Sequence, residues 1–214
     1  MKKVSLILTL LIGFSSISYA QTVTIGTQVW MTNNLNVHKF RNGDPIPQAK
    51  TKDEWEKAGE NGEPAWCYYH NDPVNGEKYG KLYNWYAVND SRGLAPEGWK
   101  IPSDEDWTTL TDYLGGEEIA GEKMKSTRGW EQEGNGTNES GFSGLPGGVR
   151  ADSGTFNVPL SGTFLTIDYY GYWWSSSEGD TSSAWSRYLG YDNSGVVRYD
   201  GDKELGLSVR CLRD

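Results

Sequence analysis

The segment spanning residues 94–116, LAPEGWKIPSDEDWTTLTDYLGG, constrains the fold most strongly, because it carries signals for a strand, a turn, a helix start and a helix end. Ser103 is a favourable N-cap residue, and the three acidic residues after it place negative charge at the positive end of a helix dipole. Trp107, Leu110 and Leu114 follow at helical spacing before two glycines. The segment therefore predicts a capped amphipathic helix.

The first 20 residues have the pattern of an export signal. Lys2 and Lys3 precede an apolar stretch from Val4 to Phe14, and Ser18-Tyr19-Ala20 is a small-x-small cleavage pattern. The apolar stretch is shorter than the roughly 20 residues that a membrane-spanning helix needs. We therefore predict a signal peptide at residues 1–20, no membrane span after its removal, and a mature protein that is secreted or periplasmic, or associated with the cell surface. Retention of the uncleaved signal at the membrane is the alternative.

Composition and charge restrict the class of protein further. The formal net charge is −9, and loss of the two signal-peptide lysines changes it to −11. The remaining basic residues are scattered among acidic ones, which excludes nucleic acid as a partner. Ten Trp, thirteen Tyr and 27 Gly indicate a loop-rich fold whose core contains many aromatic rings. Residues 21–214 are long enough for one domain with a substantial core.

The sequence contains two cysteines, Cys67 and Cys211. Export would place them in a compartment where disulfides persist, so we predict that they form a disulfide bond. A bridge across so long a loop would stabilise the fold by roughly 4 to 5 kcal/mol in the chain-entropy model. The alternative is a pair of buried free thiols, since free cysteine is often buried as a small hydrophobe.

The first half of the mature chain predicts short strands and helices. Residues 22–37 alternate apolar and polar positions around Gly26, which predicts a β-hairpin. Thr51 and Glu54 form a capping-box pattern for a short helix. Residues 79–90 are apolar on both parities and could form either a buried strand or a short helix. The prediction for this half is therefore a mixture of short elements joined by turns.

The second half predicts a long irregular stretch and then consecutive β-hairpins. Residues 128–161 are rich in Gly, Asn and Ser but carry aromatic insertions, which favour ordered loops. Turn sequences at 192–195 and 200–203 separate the β-type runs that follow. In the final run, alternate residues from Leu205 to Cys211 are apolar, which predicts that Ser208 and Arg210 face away from the core. The predicted fold is one α+β domain with small antiparallel sheets, two principal helices and long ordered loops.

Six segments in chain order carry a family resemblance over most of the mature chain: QVWMTNNLN, YGKLYNWYAVN, LAPEGWKIPSDEDW, GFSGLPGG, YWWSSSE and LSVRCLRD. Together they resemble the Fibrobacter succinogenes major paralogous domain. The helix start after Gly98-Trp99, combined with the terminal Arg210-Cys211 strand, is also similar to formylglycine-generating sulfatase-modifying proteins. The resemblance implies a C-type-lectin-like fold in which both termini share one sheet and a long loop region lies above it.

Two departures from the family pattern limit what the resemblance implies. Many members have a cysteine where this chain has Ala95, and that cysteine pairs with the one in the terminal strand. Cys67 would therefore have to replace it as the partner of Cys211. Sulfatase-modifying enzymes also need a pair of cysteines near their site, and none is available here once Cys211 lies in the last strand. The resemblance therefore does not imply their activity.

Sequence motifs favour a binding protein over an enzyme. The chain lacks a P-loop, a G-x-S-x-G elbow, an H-E-x-x-H motif and a C-x-x-C motif. His38 and His70 lie in polar, turn-rich contexts that are typical of surface or structural histidines. The many carboxylates leave a glycoside hydrolase as the enzymatic alternative. Residues 200–204, DGDKE, could hold calcium, although the same pattern is typical of a hairpin turn, so we expect no cofactor.

A late cluster of aromatic and polar residues is the candidate ligand-binding site. Tyrosine and tryptophan supply rigid contact area, and Asn, Asp and Arg supply orienting hydrogen bonds to sugars or protein surfaces. The alternative is that these rings mainly close the core. By resemblance, the hairpin and loops before the terminal strand form the ligand face of lectin-like proteins. The candidate residues are Tyr169, Tyr170, Tyr172, Trp173, Tyr188, Tyr191, Asp192, Asn193, Arg198 and Tyr199.

The sequence thus predicts a secreted or periplasmic, non-catalytic module that binds carbohydrate or protein. The rival hypotheses are an extracytoplasmic carboxylate-dependent glycoside hydrolase and a structural component of the cell envelope.

Overall fold

A computed structural model describes residues 21–151 and 163–214, which form a mixed α+β fold with small antiparallel sheets, as predicted. The strands are β1 (Thr22–Ile25), β2 (Gln28–Met31), β3 (Trp66–Cys67), β4 (Leu82–Tyr83), β5 (Trp99–Lys100), β6 (Val149–Arg150), β7 (Phe164–Leu165), β8 (Tyr170–Glu178), β9 (Ser183–Gly190), β10 (Val197–Asp202) and β11 (Leu212–Arg213). The helices are α1 (Lys52–Glu60), α2 (Pro73–Tyr79), α3 (Trp85–Val88), α4 (Asp104–Tyr113) and α5 (Ala120–Met124). The predicted signal peptide and residues 152–161 of the predicted loop lie outside the described residues. Within the described ranges, no helix is both long and apolar enough to cross a membrane.

The two ends of the described chain meet in a four-stranded sheet with the order β1-β2-β11-β5. Strands β1 and β2 form the predicted hairpin, and Gly26 occupies its turn with a φ of 60°, a conformation that glycine adopts without steric cost. Leu212 of β11 pairs with Trp30 of β2 on one side and with Lys100 of β5 on the other. The sheet therefore joins the N-terminal and C-terminal segments.

The predicted N-cap at Ser103 and the predicted capping box at Thr51 are confirmed, and Ser103 also forms a capping box. The Ser103 side chain accepts a hydrogen bond from the backbone N–H of Asp106, whose carboxylate accepts from the Ser103 N–H, and α4 begins directly after this residue. Thr51 and Glu54 make the same reciprocal pair at the start of α1. Trp107 of α4 is 0% exposed, which places the predicted apolar face of this helix in the core.

The run at residues 79–90 contains both of the elements that its pattern allowed. Strand β4 ends at Tyr83 and α3 begins at Trp85. Asn84 separates them, because its side-chain oxygen accepts hydrogen bonds from the backbone N–H groups of Ala87 and Ala65. One polar side chain thus caps the helix and ties it to the strand next to β4.

The three-stranded sheet β10-β9-β8 has two chemically different faces. Tyr172 pairs with Tyr188 across β8 and β9, so both side chains lie on one face. In the next row, Trp173 pairs with Arg187, and Arg187 pairs with Arg198 of β10, so these three side chains lie on the opposite face. Helix α4 packs against β8 and β9. The tyrosine side chains of this sheet therefore lie on one face, which we call the tyrosine face.

Two predictions for the C-terminal region are wrong. Ser208 and Arg210 do not face solvent, since each is 1% exposed. The alternation rule fails here because residues on both sides of the segment contact it, as the bridges from Leu207 to Tyr83 and from Ser208 to Trp173 show. The predicted turn at 200–203 is also displaced, because Asp200 to Asp202 belong to β10.

The predicted disulfide between Cys67 and Cys211 is wrong, since both residues are buried free thiols. Cys67 packs in a cluster with Trp55 and Leu82, whereas Cys211 belongs to a different core cluster. Ala95, the position that carries the partner cysteine in many resembling proteins, lies in the same cluster as Cys211. Hydrophobic packing therefore surrounds each thiol separately.

We expect both thiols to resist modification in the folded protein and to react after denaturation. Burial raises the pKa of the Cys67 thiol to about 11 and that of the Cys211 thiol to about 12, so little of either residue is present as the reactive thiolate at neutral pH. Titration with a thiol reagent should detect no free thiol in native protein and two in denaturant without reductant. Two thiols that appear only after reduction would contradict the assignment.

Candidate functional site

A pocket of about 320 Å³ opens on the tyrosine face of the sheet β10-β9-β8. Its volume lies at the lower end of the range for small-molecule sites. Four aromatic rings from three strands line the pocket together with three aliphatic side chains and one threonine. The lining residues are Tyr170, Tyr172, Tyr188, Tyr199, Val149, Thr166, Leu205 and Leu207.

The alternation of side chains along the strands brings the four pocket tyrosines together. Tyr170 and Tyr172 are two residues apart on β8, so they point to the same side, and Tyr188 of β9 lies opposite Tyr172. The Tyr172 and Tyr188 ring centroids are 5.4 Å apart, and Tyr188 also contacts Tyr170 at 6.1 Å and Tyr199 at 6.3 Å. These distances are typical of packed aromatic pairs, so the rings form one continuous surface.

The ring contacts continue from the pocket to the protein surface. Tyr170 contacts Tyr191 with a centroid distance of 5.7 Å, and Tyr191 contacts Tyr169 at 5.2 Å. Tyr169 is 36% exposed. The Tyr191 N–H donates to the Tyr169 carbonyl oxygen, which fixes the two residues side by side.

The phenols of Tyr170 and Tyr172 remain protonated at neutral pH. Burial raises the pKa of Tyr172, since the phenolate would lose its hydration. Burial also raises the pKa of Tyr170, and the nearby Asp192 carboxylate adds to the rise. Both hydroxyl groups can therefore donate as well as accept hydrogen bonds.

Thr166 occupies a strained position at the pocket wall. Its φ is 64°, which is rare for a β-branched residue and costs about 1 to 3 kcal/mol. Its carbonyl oxygen accepts from the N–H groups of Tyr169 and Tyr170, so the strained turn leads directly into β8. Its buried hydroxyl interacts with the Tyr172 phenol, and this interaction opposes the rise in the Tyr172 pKa that burial causes.

A protein-family model described as the Fibrobacter succinogenes major domain matches residues 23–213. The chain belongs to this family. No curated protein and no solved structure gave a significant match. Every residue that lines the pocket lies within the matched range.

In this member of the Fibrobacter succinogenes major domain family, two of the predicted site residues lie on the other face of the sheet. Trp173 is 1% exposed, and its indole N–H donates to Asn34 Oδ1 at 2.8 Å. Arg198 stacks on the Trp185 ring and forms an ion pair with Asp104 of α4 at 3.0 Å. The structure thus separates these two side chains from the pocket.

Asp192 and Asn193 are exposed in the turn between β9 and β10, beside the surface tyrosines. The Tyr170 hydroxyl donates to Asp192 Oδ2 at 3.4 Å. The Lys125 ammonium, which is 4% exposed, donates to the carbonyl oxygens of Gly190 and Asn193. A buried cation therefore holds this turn in place from inside the protein.

Sequence reasoning missed Val149, Thr166, Leu205 and Leu207, which complete the pocket. Leu205 and Leu207 were predicted only as core residues, and Val149 and Thr166 come from segments without a motif. No local sequence signal identifies these four residues. They come close to the tyrosines only through contacts between segments that are distant in the sequence. Both histidines are exposed, and neither lines the pocket.

The candidate calcium-binding run at residues 200–204 contains a buried lysine. Lys203 in this run is buried, and its ammonium donates to Glu178 Oε1, to the Asp180 carbonyl at 2.8 Å and to the Thr181 carbonyl at 2.9 Å. A lysine cation therefore already satisfies the oxygen atoms of the neighbouring turn. Within residues 21–151 and 163–214, no group of three or more His, Cys, Asp or Glu side chains could hold a metal ion.

We expect Lys203→Met to lower the free energy of unfolding by about 2 kcal/mol, because it leaves two carbonyl oxygens and a carboxylate without their charged donor. We also expect millimolar calcium to leave the Tm of the wild-type protein unchanged. Thermal denaturation of both proteins, with calcium and with a chelator, measures these effects. A calcium-dependent rise in the wild-type Tm would contradict this account.

Proposed function

We propose that this protein is a non-catalytic, extracytoplasmic binding module that recognises carbohydrate through the tyrosine pocket. The observation that carries the proposal is the convergence of four tyrosine rings from three strands on one concave site. Each ring offers a flat apolar face and a hydroxyl group, which matches a sugar ring with apolar C–H faces and hydroxyl edges.

The size and shape of the pocket favour a small ligand over a protein surface. A standard protein interface covers about 800 Å² on each partner. Among the described residues, the large hydrophobic side chains classed as exposed are Val74, Tyr113, Ile119, Tyr169 and Tyr199. Tyr169 and Tyr199 lie at the pocket and its edge, whereas the other three belong to other parts of the chain, so the exposed large hydrophobic side chains are spread over separate elements.

The chemistry of the pocket favours binding of a neutral ligand without turnover. Glycoside hydrolysis needs two carboxyl groups at the scissile bond. The described lining residues are Tyr, Thr, Val and Leu, with no carboxylate among them. The negative net charge of the chain also disfavours anionic glycans.

A C-type-lectin-like architecture and export are part of the same proposal. The sheet that joins β1 and β2 to β11 supports the architecture, since the resemblance implied that both termini share one sheet. The sequence of residues 1–20 supports export.

Titration of the mature protein with a broad panel of soluble glycans tests this proposal. We expect saturable binding of at least one neutral glycan, detected by calorimetry and by a change in intrinsic fluorescence, with no release of reducing sugar during prolonged incubation. Failure to bind any glycan in the panel would contradict carbohydrate recognition. Release of sugar that persists after repurification would support the hydrolase alternative instead.

A further inference from the structure

The tyrosine surface is larger than the pocket. Five successive ring contacts connect Tyr199 at one end to Tyr169 at the other, through rings in the order 199, 188, 172, 170, 191 and 169. The first four of these rings line the pocket. The last two, Tyr191 and Tyr169, lie outside it and form what we call the outer platform.

We propose that the binding site holds a chain of several neutral sugar residues, with one ring in the pocket and the adjoining residues on the outer platform. This inference rests on the proposed function and specifies its ligand class as an oligosaccharide. A ligand confined to the pocket would leave the outer platform without a role, whereas a chain that leaves the pocket past Tyr170 meets Tyr191 next. Tyr170 is the shared ring, since it contacts Tyr172 inside and Tyr191 outside.

The outer platform is held in place before any ligand arrives. The Tyr191 N–H donates to the Tyr169 carbonyl at 2.9 Å, and the Tyr169 N–H donates to the Thr166 carbonyl at 3.1 Å. The Lys125 ammonium fixes the adjoining turn through the carbonyl oxygens of Gly190 and Asn193. A rigid aromatic surface loses little conformational entropy when it binds a ligand.

Polar groups beside the outer platform suit the hydroxyl groups of a sugar chain. Asp192 and Asn193 are exposed next to Tyr191. The Asp192 carboxylate contacts both the Tyr170 hydroxyl and the Asn193 amide, and it retains accepting capacity for a ligand hydroxyl group. The edge of the platform therefore combines stacking area with hydrogen-bonding groups.

Calorimetry with neutral oligosaccharides of increasing length tests the inference. The probes are gluco-, manno-, galacto- and xylo-configured series and N-acetylglucosamine oligomers, each from monosaccharide to hexasaccharide. For the series that binds, we expect affinity to rise by about tenfold or more between the monosaccharide and the tetrasaccharide. Tyr191→Ala should remove this gain and should weaken tetrasaccharide binding much more than monosaccharide binding.

Controls separate loss of the platform from loss of folding. Tyr169→Ala removes an exposed ring and should reduce the length dependence without lowering the Tm. Tyr113→Ala removes an exposed tyrosine of α4 and should leave all affinities unchanged. Equal affinity along the whole series, or an equal loss for short and long ligands in both platform variants, would overturn the extended site while leaving the pocket as a monosaccharide site. Absence of binding by every probe would overturn the proposed function and this inference together.

Discussion

Replacement of Trp107 by alanine is expected to lower the free energy of unfolding by about 4 kcal/mol. Trp107 is 0% exposed, and its ring lies 4.9 Å from that of Trp30 and 5.9 Å from that of Phe142. Its indole N–H donates to the carbonyl oxygen of Trp174. Truncation therefore leaves a large cavity between α4, strand β8 and the four-stranded sheet that joins the two ends of the chain.

Urea denaturation followed by circular dichroism measures this loss. Tyr113→Ala is the matched control, because it removes an aromatic ring from the same helix at a position that is 66% exposed. We expect the control to cost less than about 1 kcal/mol. Similar losses in the two variants would show that α4 does not hold the core as described.

Replacement of Tyr188 by alanine is expected to weaken carbohydrate binding by about 30-fold, which corresponds to about 2 kcal/mol. Tyr188 is the central ring of the pocket, since it contacts Tyr170, Tyr172 and Tyr199. Its removal takes away stacking area and also loosens the three neighbouring rings. Calorimetry with the tightest-binding glycan measures the effect.

Two further variants identify the cause of this loss. Tyr188→Phe keeps the ring and removes the hydroxyl, so it should retain most of the affinity if stacking dominates. Arg198→Ala changes the opposite face of the same sheet, where the side chain pairs with Asp104, and should not affect binding. A Tyr188→Ala protein that folds and binds as tightly as wild type would place the ligand elsewhere.

Local sequence signals predicted the elements that depend on local interactions. Ser103 and Thr51 each cap a helix by contacting the residue three positions later, so the pattern contains the whole interaction. The hairpin at Gly26 is equally local. The late tyrosines could be singled out for the same reason, because their composition and strand periodicity are visible in one stretch of chain.

The remaining features depend on contacts that are distant in the sequence. Arg210 was predicted to face solvent, but its guanidinium donates to Asn34 Oδ1 and to the Phe142 carbonyl inside the protein. Likewise, Trp173 and Tyr172 are neighbours with opposite orientations, and the packing of α4 decides which of the two faces is covered. The disulfide prediction was wrong because the number of cysteines in a sequence does not show that Cys67 and Cys211 lie in different core clusters.

The most direct test of the tyrosine pocket as a carbohydrate site is an NMR titration of protein with ¹³C-labelled tyrosine rings, using the tightest-binding neutral oligosaccharide. Resonances are assigned with single Tyr→Phe variants. We predict that the signals of Tyr170, Tyr172, Tyr188 and Tyr199 shift together with a common affinity, while that of Tyr113 stays unchanged. Saturable binding by calorimetry with no shift at these four rings would contradict the account.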